Sequence, residues 1–440
     1  MYRRVFLLLS LIFLIPALVM SQVIEPNKSR SGSIYSGIGF GNPANLNSSH
    51  TNGMGLSGVA TPSSFAPSLS NPAHWALSEL TQAQLTMGMT NYDATDAFSS
   101  ATNSQFAFDN FQFVFPILRN QLGASISFSP VTRSDFARIE QESFQIIGSA
   151  DPVDYASSSI GSGGVNRFEF GLGYRVNSNL TLGYAVSAHV MSITEEITTS
   201  FSDNQFQRGG QPSVITDEIT GAGLGNRFGV FTRFSGLFGS RDRVELAATA
   251  NLPVSINGDR SLRTFRIVNT QPRRVSLNDG LPSREGTVKL PLEINTGLTY
   301  YLNPYHNFSA EFQYQNWEDA EFSYNLTEQG YYKDRTKVGV GYQYHPFLNQ
   351  QASGFFSNFR YSLGATYDNG FLSISDQDIE TVMFHAGLTI PSQRSRSSID
   401  LSFNYGVRGT ESESLVKENI WGFKLSLNLA EFMFLRQRFQ

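Results

Sequence analysis

From Thr81 onward the chain alternates apolar and polar residues at a period of two, stretch after stretch. A period of two places successive side chains on opposite faces of a strand, so each stretch offers one apolar and one polar face. Leu85, Met87 and Met89 share a face; so do Phe111, Phe113, Phe115 and Ile117, and then Leu122, Ala124, Ile126 and Phe128. The pattern returns at Phe168–Tyr174, Leu180–Val190, Phe228–Phe234, Val244–Ala250, Leu290–Tyr300 and Phe308–Tyr314. Val338–Tyr344, Tyr361–Tyr367, Val382–Ile390, Ile399–Val407 and Trp421–Leu429 complete it. About fourteen strands follow from this reading, an even number as closed single-chain bacterial barrels require. After residue 21 no apolar run is long enough for a membrane helix. The 36 Phe and 18 Tyr still supply a wide apolar surface. The fold class is therefore all-β: an antiparallel transmembrane barrel of about fourteen strands.

Loop lengths carry the decisive signal, because a soluble β-protein shows the same local alternation. Connections after even-numbered strands are tight, at Asn120, Asn177-Ser178-Asn179 and Asn303-Pro304. Those after odd-numbered strands are long, notably 131–164, 194–222 and 255–285. Short periplasmic turns and long outer loops define a membrane barrel, and only 346–355 is long for its end. The polar faces then line the lumen, with Arg167, Glu169, Lys289, Glu293, Glu311, Asp400 and Lys424 as its charged residues.

Residues 1–21 read as a cleaved secretory signal, with Arg3 and Arg4 ahead of an apolar Val5–Val19 and a cut before Gln22. Losing those two arginines takes the net charge from -5 to -7, which gives no electrostatic case for nucleic acid. With no cysteine, an exported chain has neither a disulfide scaffold nor a lipoprotein anchor. Residues 22–80 precede the strands and are glycine-rich and nearly uncharged around Gly53–Leu80. They are read as a plug, or hatch, held inside the barrel of residues 81–440. Gly53-Met54-Gly55-Leu56-Ser57-Gly58 fits the dinucleotide fingerprint G-x-G-x-x-G, but no strand precedes it and no helical pattern follows, so that reading is set aside.

Several of these stretches resemble the FadL/OmpP1/TodX family of outer-membrane transporters for hydrophobic compounds, in its Bacteroidetes-like form. Gly53-Met54-Gly55 with Gly58-Val59-Ala60 and Asn71-Pro72-Ala73 is similar to the family's hatch signature. Leu290–Pro304 resembles its proline-started strand with a mid-span glycine, and Phe308–Phe322 with Lys337–Pro346 its later paired strands. The chain departs from the family at Thr61-Pro62-Ser63-Ser64 and at His74-Trp75, which makes the latter pair the first place to seek a changed gate.

The resemblance implies capture of a long-chain fatty acid-like or aromatic hydrocarbon by outer loops, passage into the lumen, and lateral release at a kinked third strand. Phe128, Ser129 and Pro130 end that strand here, and proline cannot donate to a ladder. Ile197, Phe201, Phe206, Phe265, Ile267 and Val268 give the long connections an apolar content that a solvated loop does not need. Arg260, Arg263, Arg266, Arg273, Arg274 and Arg284 suit the phosphates of lipopolysaccharide, through guanidinium forks. A partner-subunit role of the PorV type in a type IX secretion system, and a general diffusion porin, are the alternatives. The protein is expected to be a monomer in the bacterial outer membrane, without cofactor, metal or enzymatic activity. The six histidines are scattered without ligand spacing. A lipase-like Ser/His pair would have to draw on His189 or His385.

Overall fold

The computed structural model describes residues 32–145, 152–201, 213–268, 271–278, 284–324, 331–346, 354, 356–392, 395–411 and 415–431. Residues 1–31, with the expected signal segment, Phe206 and the last nine residues lie outside these. No helix among the described residues is long and apolar enough to cross a membrane.

Fourteen antiparallel strands close on themselves. They are β1 Thr81–Thr95, β2 Ser100–Leu118, β3 Leu122–Pro130 continued as Phe136–Phe144, β4 Val153–Arg175 and β5 Leu180–Phe201. Next come β6 Ser213–Ser235, β7 Arg243–Asn251 continued as Val254–Val268, β8 Glu285–Leu290 with Glu293–Asn303, and β9 His306–Gln315. The circle is completed by β10 Arg335–Tyr344, β11 Arg360–Asp368, β12 Thr381–Pro391, β13 Ser398–Arg408 and β14 Lys417–Glu431. β14 pairs with β1 from Thr81↔Glu431 to Thr95↔Lys417, which removes the free edge a flat sheet would leave.

Large apolar side chains point outward all the way round, among them Phe168, Leu182, Phe228, Phe308, Val340, Leu363, Phe384 and Phe423. An apolar belt of that extent is stable against lipid and not against water. The inward positions include Gln84, Gln112, Glu169, Arg227, Glu245, Thr299 and Ser426, all buried and polar.

The structure corrects two expectations. The connections 131–164, 194–222 and 255–285 are mostly not loops: β4, β5 and β6 run 22 to 23 residues each. A tilted strand needs about ten residues to cross a bilayer, so their outer halves stand above it as a continued ladder. There the outward face leaves lipid for water, so the apolar period fades on that side while the backbone pairing carries on. Ile197 therefore sits in β5 opposite Ile215, and Phe265, Ile267 and Val268 sit in β7 paired with Arg274, Pro272 and Gln271.

The second correction is Lys289, which does not face the lumen. Asn251 pairs with Glu293 and Val254 with Leu290, leaving Leu252-Pro253 and Pro291-Leu292 outside the ladder. Two prolines side by side, neither able to donate, turn both strands over together. Beyond them Val254, Ile256, Val288 and Leu290 point inward and are buried, and Lys289 lies on the other face beside Glu321.

This turn-over divides the interior. Below the two prolines the inner wall is mainly polar, with Val114, Phe231 and Ala247 where the inner segment packs. Above them it is an apolar chamber in which Val165, Met191, Ile193, Ile219, Ile256 and Val288 meet Trp317, Phe322, Phe371 and Leu372 from the outer connections. Phe40 is fully buried there, its ring 5.3 Å from Trp317, 6.2 Å from Phe322 and 6.0 Å from Tyr332.

Candidate functional site

Residues 32–80 thread the interior from this chamber down to the short-turn end. A short 3-10 helix, Ser49–Met54, packs on β10, β11, β12 and β13; another, Pro72–Leu77, packs on β2 to β6 across the barrel. Contact with opposite walls places the segment inside the ring. Wall glycines make room for it. A Cβ on Gly183 would lie 2.2 Å from the Pro72 carbonyl carbon, one on Gly364 2.1 Å from Met54 O, and one on Gly387 2.5 Å from Gly53 Cα.

Three charged groups of the wall hold the segment. Near its start, Glu418 accepts from Ser33 Oγ at 2.7 Å and Ile34 N at 2.9 Å. At its middle, Glu311 accepts from Ser57 N at 2.7 Å, Ser57 Oγ at 2.5 Å, Gly58 N at 2.8 Å and Val59 N at 2.8 Å. Gly55 and Gly58 have φ of +70° and +84°, and their left-handed turns aim successive N–H groups at one point. The glycine pattern that mimics a nucleotide fingerprint thus builds an anion nest whose anion is a carboxylate of the barrel itself.

Lower down, Arg227 donates to Leu69 O and Ser70 O, both at 2.9 Å, while paired with Glu169. Asn71 caps the second 3-10 helix by accepting from Ala73 N at 2.9 Å, and its Nδ2 donates to Val59 O at 2.9 Å. Pro72 follows at the first helical position, where its missing N–H costs nothing. Trp75 donates to Ser68 O at 2.8 Å, and His74 Nδ1 meets Ser68 Oγ at 2.9 Å.

His50 and His74 are both buried, with His50 Nε2 donating to Thr61 O at 2.6 Å. Loss of water pulls the His50 ring down from 6.5 to about 4, and pulls His74 well below its usual range. Since the seated form holds these rings neutral, its stability is complete above pH 6.5 and falls as pH drops towards 4. The Trp75 emission change that marks unseating should therefore come at a lower temperature at pH 5 than at pH 7.5. In a His50→Gln variant that pH dependence should shrink; an identical slope would show that His50 does not report on the segment.

The third strand breaks the wall. β2 pairs with β3 only from Phe111↔Phe128 to Leu118↔Leu122, while β3 stays paired to β4 as far as Pro130↔Asn166. The outer part of β3, Phe136–Phe144, pairs with β4 alone. Among the described residues, Ser100–Asn110 of β2 therefore has ladder partners only on β1. Between the two pieces of β3 the chain turns inward, and Thr132–Arg133 pair with Pro43 and Asn42 of the inner segment.

Side chains bridge the resulting gap. Gln105 donates to Asp135 Oδ2 at 2.7 Å, and Arg133 donates to Phe108 O at 2.9 Å and pairs with Asp109 at 2.8 Å. Asp109 also holds Lys424 at 2.8 Å. Outside the gap, Phe108, Phe128 and Phe168 form a contiguous aromatic rim, with centroids 5.6 Å and 4.8 Å apart. Inside lies a polar cavity of about 200 Å³ lined by Asp109, Pro130, Arg133, Lys337, His385 and Lys424, among others. Ser129 accepts from Arg167 at 3.2 Å, so Phe128, Ser129 and Pro130 stand directly at this break.

The remaining sequence candidates disperse. Glu293 binds Asn251 Nδ2 at 2.8 Å, and Asp400 accepts from Asn428 at 2.7 Å. His385 meets Thr366 at 3.1 Å and not a serine, and Arg167 stands opposite His189 in the ladder. Among the described residues no group of His, Asp and Glu could hold a metal ion. On the outer extension, Arg260 is taken by Asp217 and by Tyr324 O. Lys424 is legible as an inward charge, but Phe40, Glu418, Arg133 and Asp109 carry no sequence signal, since each depends on which wall the chain touches.

The fold has solved counterparts. A FadL homologue from Pseudomonas aeruginosa is similar with a TM-score of 0.52 at 14% identity, over 89% of this chain and 98% of that one. The Ralstonia pickettii toluene transporter TbuX gives 0.51 at 13% identity, over 92% and 99%. The Pseudomonas putida toluene transporter TodX gives 0.50 at 14%, over 83% and 94%. No curated protein matches the sequence. These likenesses establish a FadL-type outer-membrane barrel fold, and because the BamG family matches the whole of residues 1–440, the chain belongs to the BamG family.

Proposed function

We propose that this protein admits hydrophobic small molecules, fatty acid-like or aromatic, across the outer membrane and releases them sideways into the bilayer. The break between β2 and β3 carries this reading, because a water-filled pore offers an apolar molecule nothing. Contact with apolar surface is worth about 25 cal/mol per Å². The outer chamber supplies such surface if Phe40 moves aside, and the rim of Phe108, Phe128 and Phe168 leads on to lipid. The polar cavity between them would pass an amphiphile only with the Arg133–Asp109–Lys424 chain rearranged. Residues 32–80 act in this scheme as the hatch. The exposed Arg273, Arg274 and Arg284 would meet lipopolysaccharide phosphates at the outer rim.

A Gln105→Cys/Asp135→Cys variant tests the scheme, since those side chains touch across the gap. When oxidised it should lose uptake of a radiolabelled fatty acid or toluene by about tenfold, about 1.4 kcal/mol in the transport barrier. Reduction should restore it. Unchanged uptake in the sealed protein would end the lateral-release reading. A second reading, a partner subunit of a secretion machine, is favoured by one observation: the apolar chamber is filled by the protein's own side chains. Under it the sealed variant would keep its partner and show no uptake in either redox state. The occupied lumen disfavours a general porin.

A further inference from the structure

The short-turn end of the lumen carries a site that the uptake scheme does not use. Beneath residues 62–68 and 74–80 lies a cavity of about 290 Å³, facing the periplasm. Arg175, Arg233, Arg243 and Arg396 line it, with Glu79 as the acidic residue among its lining. Glu79 is taken by Arg396 at 2.5 Å. Glu245 is shared between Arg233 at 2.7 Å and Arg243 at 3.0 Å. Among the described residues Arg175 has only the carbonyls of Asn177 and Ser178, at 3.1 Å and 2.9 Å, and carbonyls do not neutralise a charge. Among the described residues two cationic charges therefore remain unmatched in one cavity.

The arginines are also held in position. Arg243 lies 3.8 Å from the centroid of the Tyr301 ring and Arg233 5.5 Å from that of Phe231, so each stacks on an aromatic face. His74 lines the same cavity, is buried, and has an Nε2 without a hydrogen-bond partner. Trp75, Leu77 and Pro67 supply an apolar surface between the charges.

We propose that this cavity binds an acidic, extended polypeptide segment presented from the periplasm. The two unmatched guanidinium charges suit carboxylates, and the apolar surface between them suits side-chain stems. The site opens inside the ring of strands, away from the lipid-facing wall, so it is reached from water and not from the bilayer. The occupant touches Trp75 and the residues that close the hatch from below, so docking there reports on, or alters, how the segment is seated.

The test uses the full-length protein in phosphatidylcholine nanodiscs and a fluorescein-labelled hexaglutamate peptide, read by anisotropy and by Trp75 emission. Saturable binding is expected, with hexalysine inert. Arg175→Gln, which removes no ion pair, should weaken it about tenfold, the loss of one charge-assisted contact. Arg274→Gln, on the opposite side of the membrane, should leave it unchanged. Several results would overturn the proposal. These are no saturable binding, equal binding by Arg175→Gln, or an unchanged Trp75 signal. So would displacement by millimolar inorganic phosphate as effective as by free hexaglutamate, which would mark a small-anion site. Loss of binding on adding phosphatidylglycerol to the nanodisc would mark a headgroup site and overturn it equally. None of these outcomes bears on the gap between β2 and β3.

Discussion

A Glu311→Ala variant is expected to release the middle of the inner segment while the barrel stays closed. The Glu311 carboxylate is the acceptor for three consecutive backbone N–H groups and one hydroxyl of Ser57–Val59. Removing it leaves those donors buried without an acceptor, at about 1–3 kcal/mol for each unsatisfied group. Even with strong non-additivity the loss is on the order of 5 kcal/mol, comparable to a whole domain's stability margin. β9 itself keeps its ladder with β8 and β10, so heat-modifiable mobility on gels, the sign of an intact barrel, should not change. Ala60, now buried, should react with maleimide once replaced by cysteine, and single-channel conductance should rise from the closed level. Glu311→Gln keeps one acceptor oxygen and should sit between the two. If Glu311→Ala leaves both labelling and conductance as they are, the nest is not what holds the segment.

That nest also shows how far the sequence could be read. Gly55 and Gly58 are legible as residues needing unusual backbone, and Glu311 is legible as an inward charge on a strand. Nothing in the linear chain says that Gly58 and Glu311, 253 residues apart, meet in the lumen. The barrel is legible throughout, because alternation and loop asymmetry are properties of neighbouring residues. What fails is equally local in cause. Pro253 and Pro291 each look like ordinary strand ends, and only their juxtaposition turns both strands over and moves Lys289 off the lumen. The outer halves of β4 to β7 are hard to read because their outward face meets water instead of lipid, and the apolar residues that remain, such as Ile193, Ile219 and Ile256, turn inward. Pro130 reads as a proline at a strand end, and the half of β2 that lacks a partner on β3 is visible only in the register.

A Phe40→Ala variant should turn the filled outer chamber into one that takes up an apolar molecule. Phe40 is fully buried, and its ring fills the space between Trp317, Phe322 and Tyr332. Truncating a core phenylalanine costs about 3–5 kcal/mol, part of it for the void left behind. Here the surrounding wall is fixed by the closed ladder, so little collapse can offset that cost. An apolar void of this kind stays dry and accepts benzene-sized guests. Trp317 stacks on the missing ring with an interplanar angle of 18°, so its emission reports occupancy directly. Titration with toluene should shift the Trp317 signal saturably in Phe40→Ala, with Trp75 and Trp421 replaced by phenylalanine to isolate it. The parent protein should respond at higher toluene concentration, because there the guest must displace Phe40 first. That ordering is what an uptake channel with a self-filled entrance requires. A parent protein that never responds, beside a variant that does, would instead make Phe40 a permanent core residue and favour the partner-subunit reading. No response in either protein would show that the chamber is structural core alone.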